Sequence, residues 1–509
     1  MNLEDLIKYQ EEDVRPFQQG VFKQFSDRQV KNITADSRQV QKGSVFVCLV
    51  GEHTDGHDYI GPAIKAGAVA IVAQSIAKVP QGLLDTFPVL KAENTYKALA
   101  VLANRFYGKP GEQLQMIGIT GTNGKTTVSH LVEKILDLHG QKVGLLGTLG
   151  FKASGQDAYD NAKYTTPMAV EFQELLAYLV AEGYESLVME VSSHALDQYR
   201  VYGADFDIAV LTNLTQDHLD FHKTMGEYFK AKAKLFNQLK PTPARPKYAV
   251  INLDDESAQK FIEACPTNVE VLTYSLNKPE ARVWAEDVHY TIEGASFKCH
   301  IPQGEFDIRL KIAGQFGVYN ALAAIATGIA LQVPIETIQK ALESVTGIRG
   351  RFEVVSQRPA VIVDYAHTPD GLKNVLSAAR IVTPQGGRLI AVFGCGGDRD
   401  TSKRPKMGRI AEELADVLVV TSDNPRSEDP QQIITDILTG IERFQTERMI
   451  VDPDREAAIH RAIDLARPED IIVVAGKGHE DYQILADRTI HFDDREVVQN
   501  YIRAKTLAV

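Results

Sequence analysis

MIGITGTNGKTT, residues Met116 to Thr127, decides how the rest of the chain is read. It opens as a short apolar strand and breaks into glycines at Gly118, Gly121 and Gly124. Lys125-Thr126-Thr127 then leads into the helical run VSHLVEKILDLHG. The order is strand, glycine-rich loop, helix. Glycines let backbone N–H groups turn inward onto phosphate oxygens, and the helix N-terminus adds a partial positive charge. Gly121, Thr122, Asn123, Gly124, Lys125, Thr126 and Thr127 therefore form a candidate ATP site, with Lys125 on the outer phosphates and Thr126 on Mg²⁺. The loop departs from the usual G-x-x-x-x-G-K-[ST] spacing, because Ile119 stands where its first glycine belongs.

Working outward, 509 residues exceed what one hydrophobic core serves and suggest three domains at about 150 residues each. A hydrophobic share of 44% is that of a soluble folded chain. The formal net charge of -12 gives no general reason to bind nucleic acid or an anionic membrane, so an anionic substrate needs a local basic pocket. The acidic start MNLEDLIKYQEEDVR is unlike a signal peptide, and no apolar run approaches membrane length, which predicts a cytoplasmic protein without membrane insertion. Cys48, Cys265, Cys299 and Cys395 show no C-x-x-C spacing and read as buried free thiols.

The fold class predicted is α/β in three domains. Residues 1–97 alternate short β-like runs (VFVCLV, AVAIVA) with a helical run and form a small N-terminal α/β domain. Residues 98–346 repeat strand then helix around MIGIT, VGLLG, SLVMEVS, IAVLTNL and YAVINLD. This predicts a phosphate-loop, ATPase-like central domain with a mostly parallel sheet and a β-rich appendage (VWAEDVHYTI, ASFKCHI, EFDIRLKI). Residues 347–509 return to the alternation (VIVDYAH, RLIAVFG, DVLVVTSD, DIIVVAG) as a Rossmann-like C-terminal domain. Ligands in such sheets sit beyond the carboxyl ends of the strands. In the central domain those ends carry the phosphate loop, Glu190 to His194, Asn213 to His218 and Asn252 to Asp255; in the third they carry DYAH, GCGGDRDTSKRP, SDNPRSEDP and GKGHEDYQ.

Glu190 and His218 follow strand ends of the loop-bearing sheet, where a carboxylate and a neutral imidazole can bind Mg²⁺ beside ATP phosphates. MGEYFKAKAKLFNQL reads as a helix on which Lys230 and Lys234 share a polar face while Lys232 falls among Tyr228, Phe229, Leu235 and Phe236. An amine on that apolar face has a depressed pKa and reacts with CO₂ to give a carbamate able to bind metal; a lysine snorkelling out of a packed face is the alternative. Arg399 and Arg426 lie in strand-end loops of the third domain. Their planar forks suit carboxylates, and Glu480 would answer an ammonium, so together they would read a zwitterion.

GTNGKTT, MEVSSHALDQYR, NLTQDHLDFH, YFKAKAKLF, RGRFE, DYAHTP, GCGGDRD, DNPR and GKGHEDYQ, in this order, resemble the Mur ligase family of ATP-dependent amino-acid ligases over nearly the whole chain. The resemblance implies a UDP-binding first domain, a central ATPase and a Rossmann-like third domain. It also implies an ATP-dependent, amide-forming addition of meso-diaminopimelate to the D-glutamyl γ-carboxylate of UDP-MurNAc-L-Ala-D-Glu through an acyl phosphate. Ser37, Glu52, His53, Thr54, Thr165, Thr166, Ser192, Gln198 and Arg200 fall on the UDP-substrate contacts. Lys125, Glu190, His218 and Lys232 take the catalytic roles, with Asn320, Arg351 and Asp364 joining the ATP site. Thr126, Glu190, His218 and carbamylated Lys232 serve the metal. Arg399, Asp423, Asn424, Pro425, Arg426, Gly476 and Glu480 fall on the diaminopimelate pocket. Two departures stand out: GQFGVYN carries Gly317 where the family pattern has Asn, and Tyr164 precedes Thr165-Thr166 where some relatives carry Asn. The expected partners are these small molecules alone, acting on a monomer. The L-lysine-adding form and a folylpolyglutamate synthetase-like ligase are the enzyme alternatives. A nucleotide-gated binding module is an alternative of another class, separated by amino-acid-dependent phosphate release.

Overall fold

A computed structural model describes residues 1–8, 13–51, 54–156, 159, 164–442 and 448–507; the expected contacts Glu52 and His53 lie outside the described residues. Three large sheets follow one another along the chain, in line with the α/β, three-domain expectation. The first has five strands in the order Arg15–Pro16, Val89–Lys91, Ala68–Ala73, Ser44–Val47 and Asn32–Thr34, all parallel except the two-residue edge. Its core holds Val45, Val47, Ala70, Val72 and Leu90. The helix Thr95–Phe106, which a boundary at residue 97 would divide, places Ala98, Leu99, Ala100 and Leu102 in that same core. Asn94 starts this helix by accepting from the Lys97 N–H at 3.0 Å, the capping that a short polar side chain provides.

The central sheet has ten strands. Gln115–Thr120, the strand before the phosphate loop, lies between Ser186–Glu190 and Ile208–Leu211, parallel to both. On one side the sheet continues through Val143–Gly147 to an antiparallel edge; on the other it runs through Tyr248–Asn252 and Glu270–Ser275. The expected β appendage is continuous with this sheet, because Val283–Thr291 pairs parallel with Glu270–Ser275 before Gly294–Ile301 and Gly304–Leu310 turn antiparallel. The parallel strands are buried on both faces, which is why their sequences read as unbroken apolar runs. Helices Lys125–Leu138 and Gln315–Ala330 cover one face through Val128, Leu131, Ile135, Leu322 and Ile325. Helices Ala169–Ala181 and Met225–Asn237 cover the other through Phe172, Leu176, Leu235 and Phe236.

The third sheet runs Glu353–Gln357, Ala360–Asp364, Ile471–Ala475, Leu389–Phe393, Val417–Val420 and Met449–Val451, parallel except for its first strand. It faces the central sheet across a cleft into which the carboxyl ends of both point. All four cysteines are free; Cys48, Cys299 and Cys395 are buried and Cys265 half-buried. Among the described residues no helix is long and apolar enough to cross a membrane.

Candidate active site

A cavity of about 740 Å³ opens between the second and third sheets. Its walls include Thr122 to Thr127, Thr165, Thr166, Glu190, Ser192, Arg200, His218, Asn320, Arg351 and Asp364, so strand ends far apart in sequence meet at one place. Gly121 and Gly124 adopt φ of 150° and 87°, a region that favours glycine. A Cβ on Gly124 would stand 2.5 Å from the Asn320 Oδ1, so Asn320 packs directly on the loop. Lys125 folds inward, its Nζ donating to the carbonyls of Gly121 at 3.0 Å and Thr122 at 2.9 Å. Burial lowers its pKa, so the amine has little solvation to lose when an anion takes the place of those carbonyls.

Glu190 is buried and clamped. Its Oε1 accepts from the Thr148 N–H at 2.9 Å and its Oε2 from the Thr148 hydroxyl at 3.0 Å. Thr148 was not singled out from the sequence; its signal is a polar residue just beyond the carboxyl end of Val143–Gly147, two strands from the loop. His218, beyond another strand of the same sheet, has φ 54° and its Nε2 3.3 Å from Asp217, edge-on to the His194 ring. Burial pulls its pKa down to about 4 against the pull of Asp217, leaving the imidazole neutral and free to donate a lone pair at neutral pH.

Lys232 is 1% exposed, and its Nζ donates to the Gly121 carbonyl at 2.7 Å, beneath the phosphate loop rather than out toward solvent. Burial first, then Lys125, hold its pKa well below the ordinary lysine value. Tyr228, one turn earlier, lays its ring 4.7 Å from that amine and brings its hydroxyl within 3.2 Å of the Thr122 hydroxyl. Lys230 and Lys234 lie on the outer face, paired with Glu227 and Asp197. Arg351 enters from the start of the third domain, donating to the Thr126 hydroxyl at 3.1 Å; among the described residues its buried Nε has no hydrogen-bond partner. Asp364 is held by the N–H groups of Phe352 and Ala366, and burial raises its pKa.

Of the residues expected on a UDP substrate, Thr165, Thr166, Ser192 and Arg200 line this cavity. Thr166 accepts from the Ser192 N–H at 3.2 Å, and Arg200 donates to the Thr166 carbonyl at 3.0 Å and to Gln198. Tyr164 lies 5.1 Å from the Arg200 guanidinium, ring face toward it. Gln198 stands behind Arg200, outside the cavity lining, while in the first domain Ser37 opens a short 3-10 turn after Asn32–Thr34 and Thr54 precedes Asp55 of the isolated Val50–Asp55 bridge. At Gly317 a Cβ would sit 3.0 Å from the Ile312 carbonyl, which explains why glycine fits there.

The residues expected to read the amino acid form a second cluster at the carboxyl ends of Leu389–Phe393, Val417–Val420 and Ile471–Ala475. At its centre is Lys477, fully buried and not singled out from the sequence, donating to Asn424 Oδ1 at 3.1 Å and to Glu480 at 3.3 Å. Asn424 donates to Glu480 at 2.9 Å. Burial raises the Glu480 pKa against the pull of Lys477. Among the described residues the buried Oδ1 of Asp423 has no hydrogen-bond partner, and it lies 3.8 Å from Lys477. Gly476 leaves room for Asp423, since a Cβ would lie 2.9 Å from its Oδ2. Arg426 follows buried Pro425 at φ 53° and donates to the Gly397 carbonyl at 2.8 Å. Glu428 does not pair with it, being taken by Arg404 at 2.9 Å, and Asp429 caps the next helix. Arg399 is exposed on the neighbouring loop. Among the described residues no three His, Cys, Asp or Glu side chains gather into a metal site, so a metal here would depend on ligand oxygens as well.

Three family models match the chain: "Mur ligase family, catalytic domain" over residues 29–107, "Mur ligase middle domain" over 119–328 and "Mur ligase, glutamate ligase domain" over 350–478. The UDP-N-acetylmuramoyl-L-alanyl-D-glutamate–2,6-diaminopimelate ligase of Bacillus cereus is 46% identical over 94% of this chain and 95% of its own. That of Listeria monocytogenes is 45% identical over 92% and 93%. A solved structure of a ligase with the same title superposes with a TM-score of 0.71 at 32% identity, covering 99% of both chains. Folylpolyglutamate synthase of Mycobacterium tuberculosis shares the fold at a TM-score of 0.60 and 19% identity over 74% of this chain. With near-full-length identity of this order and all three models in register along it, the chain belongs to the Mur ligase family.

Proposed function

We propose that this chain is the ATP-dependent ligase that joins meso-diaminopimelate to the D-glutamyl γ-carboxylate of UDP-MurNAc-L-Ala-D-Glu in peptidoglycan synthesis. The observation that carries the reading is one cleft holding a phosphate loop with its inward lysine on one wall, and beyond the other a buried carboxylate and ammonium cluster beside Arg426. Full-length identity to ligases of that name supports it.

The γ-carboxylate attacks the γ-phosphorus of ATP; the P–O bond to ADP breaks and an acyl phosphate forms. The amine of the incoming amino acid then attacks the acyl carbon, loses a proton, and inorganic phosphate leaves. Phosphoryl transfer asks mainly for positioning and neutralisation of charge. Loop N–H groups and Lys125 supply both on the phosphate side. The Arg351 Nε, buried and without a partner among the described residues, suits one more phosphate oxygen. Thr165, Thr166, Ser192 and Arg200 would orient the nucleotide dipeptide so that its carboxylate faces the loop. The third-domain cluster divides its charges: Glu480 and the unbonded Asp423 Oδ1 suit an ammonium, while Arg426 suits a carboxylate.

Mg²⁺, when bound with ATP, would neutralise phosphate charge at Thr126, Glu190 and His218. The donor set fits, since Glu190 is held in place by Thr148 and the His218 imidazole is neutral. Lys232 fits a carbamate: its buried amine, held well below the ordinary lysine pKa, would in its neutral form attack CO₂ and release one proton, placing a fixed carboxylate under the loop. We take the enzyme to act as a cytoplasmic monomer on these small-molecule substrates. The test is phosphate release with UDP-MurNAc-L-Ala-D-Glu and ATP, comparing diaminopimelate, lysine and no amino acid. Release that requires diaminopimelate is expected. Equal release with lysine points to the lysine-adding activity, and release indifferent to any amino acid removes the ligase reading.

A further inference from the structure

The phosphate loop is held from across the cleft by a carboxylate that the mechanism above does not use. Asp370 lies in the first turn of the third-domain helix Pro369–Val382. Its Oδ2 accepts from the Asn123 Nδ2 at 2.8 Å, the Thr215 hydroxyl at 2.9 Å and the Asn374 Nδ2 at 3.1 Å. Two of these donors belong to the central domain, and both are tied to the loop. Asn123 is a loop residue whose backbone is pinned on its own side: its N–H donates to Asn213 Oδ1, and its carbonyl accepts from Thr212 at 2.6 Å and Asn213 at 3.1 Å. Only its side chain reaches across. Thr215 donates its N–H to the Thr122 hydroxyl at 3.0 Å, so it moves with the loop as well.

A helix N-terminus favours a carboxylate, and that alone would account for an acidic residue at Asp370. It does not account for the placement of three donors on one oxygen, nor for an anion kept on the wall of a cavity built for phosphates. Hydrogen bonds accepted by a charged group are roughly twice as strong as neutral ones, and here the donors come from two domains.

We propose that Asp370 is a positioning residue that couples closure of the third domain to the shape of the phosphate loop. The loop takes its nucleotide-competent conformation when the Asp370 carboxylate accepts from Asn123 and Thr215. This rests on the ATP-ligase reading of the cleft and deepens it, because the third domain would then report its closure to the nucleotide as well as deliver the amino acid.

The test uses the full chain with Asp370→Ala, Thr215→Val, the double variant and Asp370→Asn. Thr215→Val removes only the hydroxyl that donates to Asp370. The expected result for Asp370→Ala is a loss of about tenfold or more in kcat/KM for ATP, with KM for diaminopimelate within about twofold and the melting temperature unchanged. Thr215→Val loses less, and the double variant is no worse than Asp370→Ala, because residues acting through one contact are not additive. Asp370→Asn keeps an acceptor without the charge and falls between the wild type and Asp370→Ala. Losses that multiply in the double variant overturn the proposal, as does wild-type kcat/KM for ATP in Asp370→Ala. Should Asp370→Ala fail to fold, Asp370→Asn decides: an intermediate loss supports the coupling and a wild-type value overturns it. Amide hydrogen exchange across residues 121–127 with a non-hydrolysable ATP analogue reads the loop without turnover. Faster exchange in the variants is expected, and unchanged exchange counts against the coupling. A wild type that makes no ADP with diaminopimelate would defeat the ligase reading, and the exchange comparison would still decide this one.

Discussion

Replacing Arg426 with alanine should remove the preference for diaminopimelate over lysine. The two amino acids differ by one carboxylate at the far end of the side chain, so discrimination must come from a group that gains by meeting that carboxylate. Arg426 has the placement for it. Its guanidinium is already oriented by the Gly397 carbonyl at 2.8 Å and, more weakly, by Asn424 at 3.4 Å; its backbone N–H is anchored to Ile484 at 3.1 Å. The φ of 53° places a non-glycine residue in the left-handed region, which the surrounding loop must hold. The adjacent Glu428 and Asp429 are engaged elsewhere, Glu428 with Arg404 and Asp429 with the Gln431 N–H, while Asp398, which also feels the Arg426 charge, bonds to Ser427. A charge-assisted hydrogen bond contributes about 1.5–3 kcal/mol. Arg426 is half-buried, and a bidentate contact there would contribute about 2–3 kcal/mol, or roughly 30- to 140-fold in kcat/KM. The assay is ADP release with each amino acid over a range of concentrations, for wild type and Arg426→Ala. The variant should lose that factor with diaminopimelate and almost nothing with lysine. The reasoning is refuted if the wild type uses lysine equally well, or if the variant keeps both its rate and its preference for diaminopimelate.

Lys125→Ala should abolish turnover while leaving the melting temperature within a few degrees, because the outer phosphates lose their mobile cation; normal turnover by the folded variant would remove the phosphate-loop assignment. Lys232→Ala should be nearly inactive and partly recover with acetate or formate, which restore a carboxylate in the vacated space; no recovery over a wide concentration range, with the fold intact, would count against a carbamate. Lys232 also sets a pH signature in CO₂-free buffer. Its folded pKa lies well below the unfolded value near 10.5, so the unfolded chain binds the extra proton between the two values. The lysine's unfavourable contribution therefore grows as pH falls through that window, by at most about 1.4 kcal/mol per pH unit. Lys232→Met should be more stable than wild type by a margin that widens as pH falls below the unfolded lysine pKa in denaturant titrations, and a constant margin would contradict the lowered pKa.

Helix and strand positions were legible because apolar periodicity reports burial directly. The phosphate loop, the strand ends and the apolar setting of Lys232 all follow from spacing alone, and each lies where the sequence puts it. Partners across the fold were not legible in that way. Nothing local in GLLGTLG says that Thr148 will hold Glu190, forty-two residues on, and Asn123 meets Asp370 over a separation of 247 residues. Such contacts depend on which carboxyl ends the topology sets side by side. The same limit explains why the helix Thr95–Phe106 spans the boundary set at residue 97: its apolar stripe shows that it packs, without naming the sheet it packs on.

Motif matching has a complementary limit, which Asn424 exposes. Resemblance places it among the residues that touch the amino acid, yet its amide is largely committed within the protein. Its Nδ2 donates to Glu480 at 2.9 Å, and its Oδ1 accepts from Lys477 at 3.1 Å and from the Ile484 N–H at 2.9 Å. An amide oxygen has two lone pairs and both are taken. What Asn424 can still offer a ligand is one N–H. Its larger effect is to fix Glu480 and Lys477 relative to each other and to tie the loop bearing Arg426 to the strand Tyr482–Ile484. Burial raises the Glu480 pKa, and Lys477 works against that rise. The selectivity of this pocket is thus built from a directly paired lysine and glutamate that one amide bonds on both sides, with the guanidinium on the adjacent turn, and the residue that makes the arrangement rigid is the one a motif would name as a simple contact.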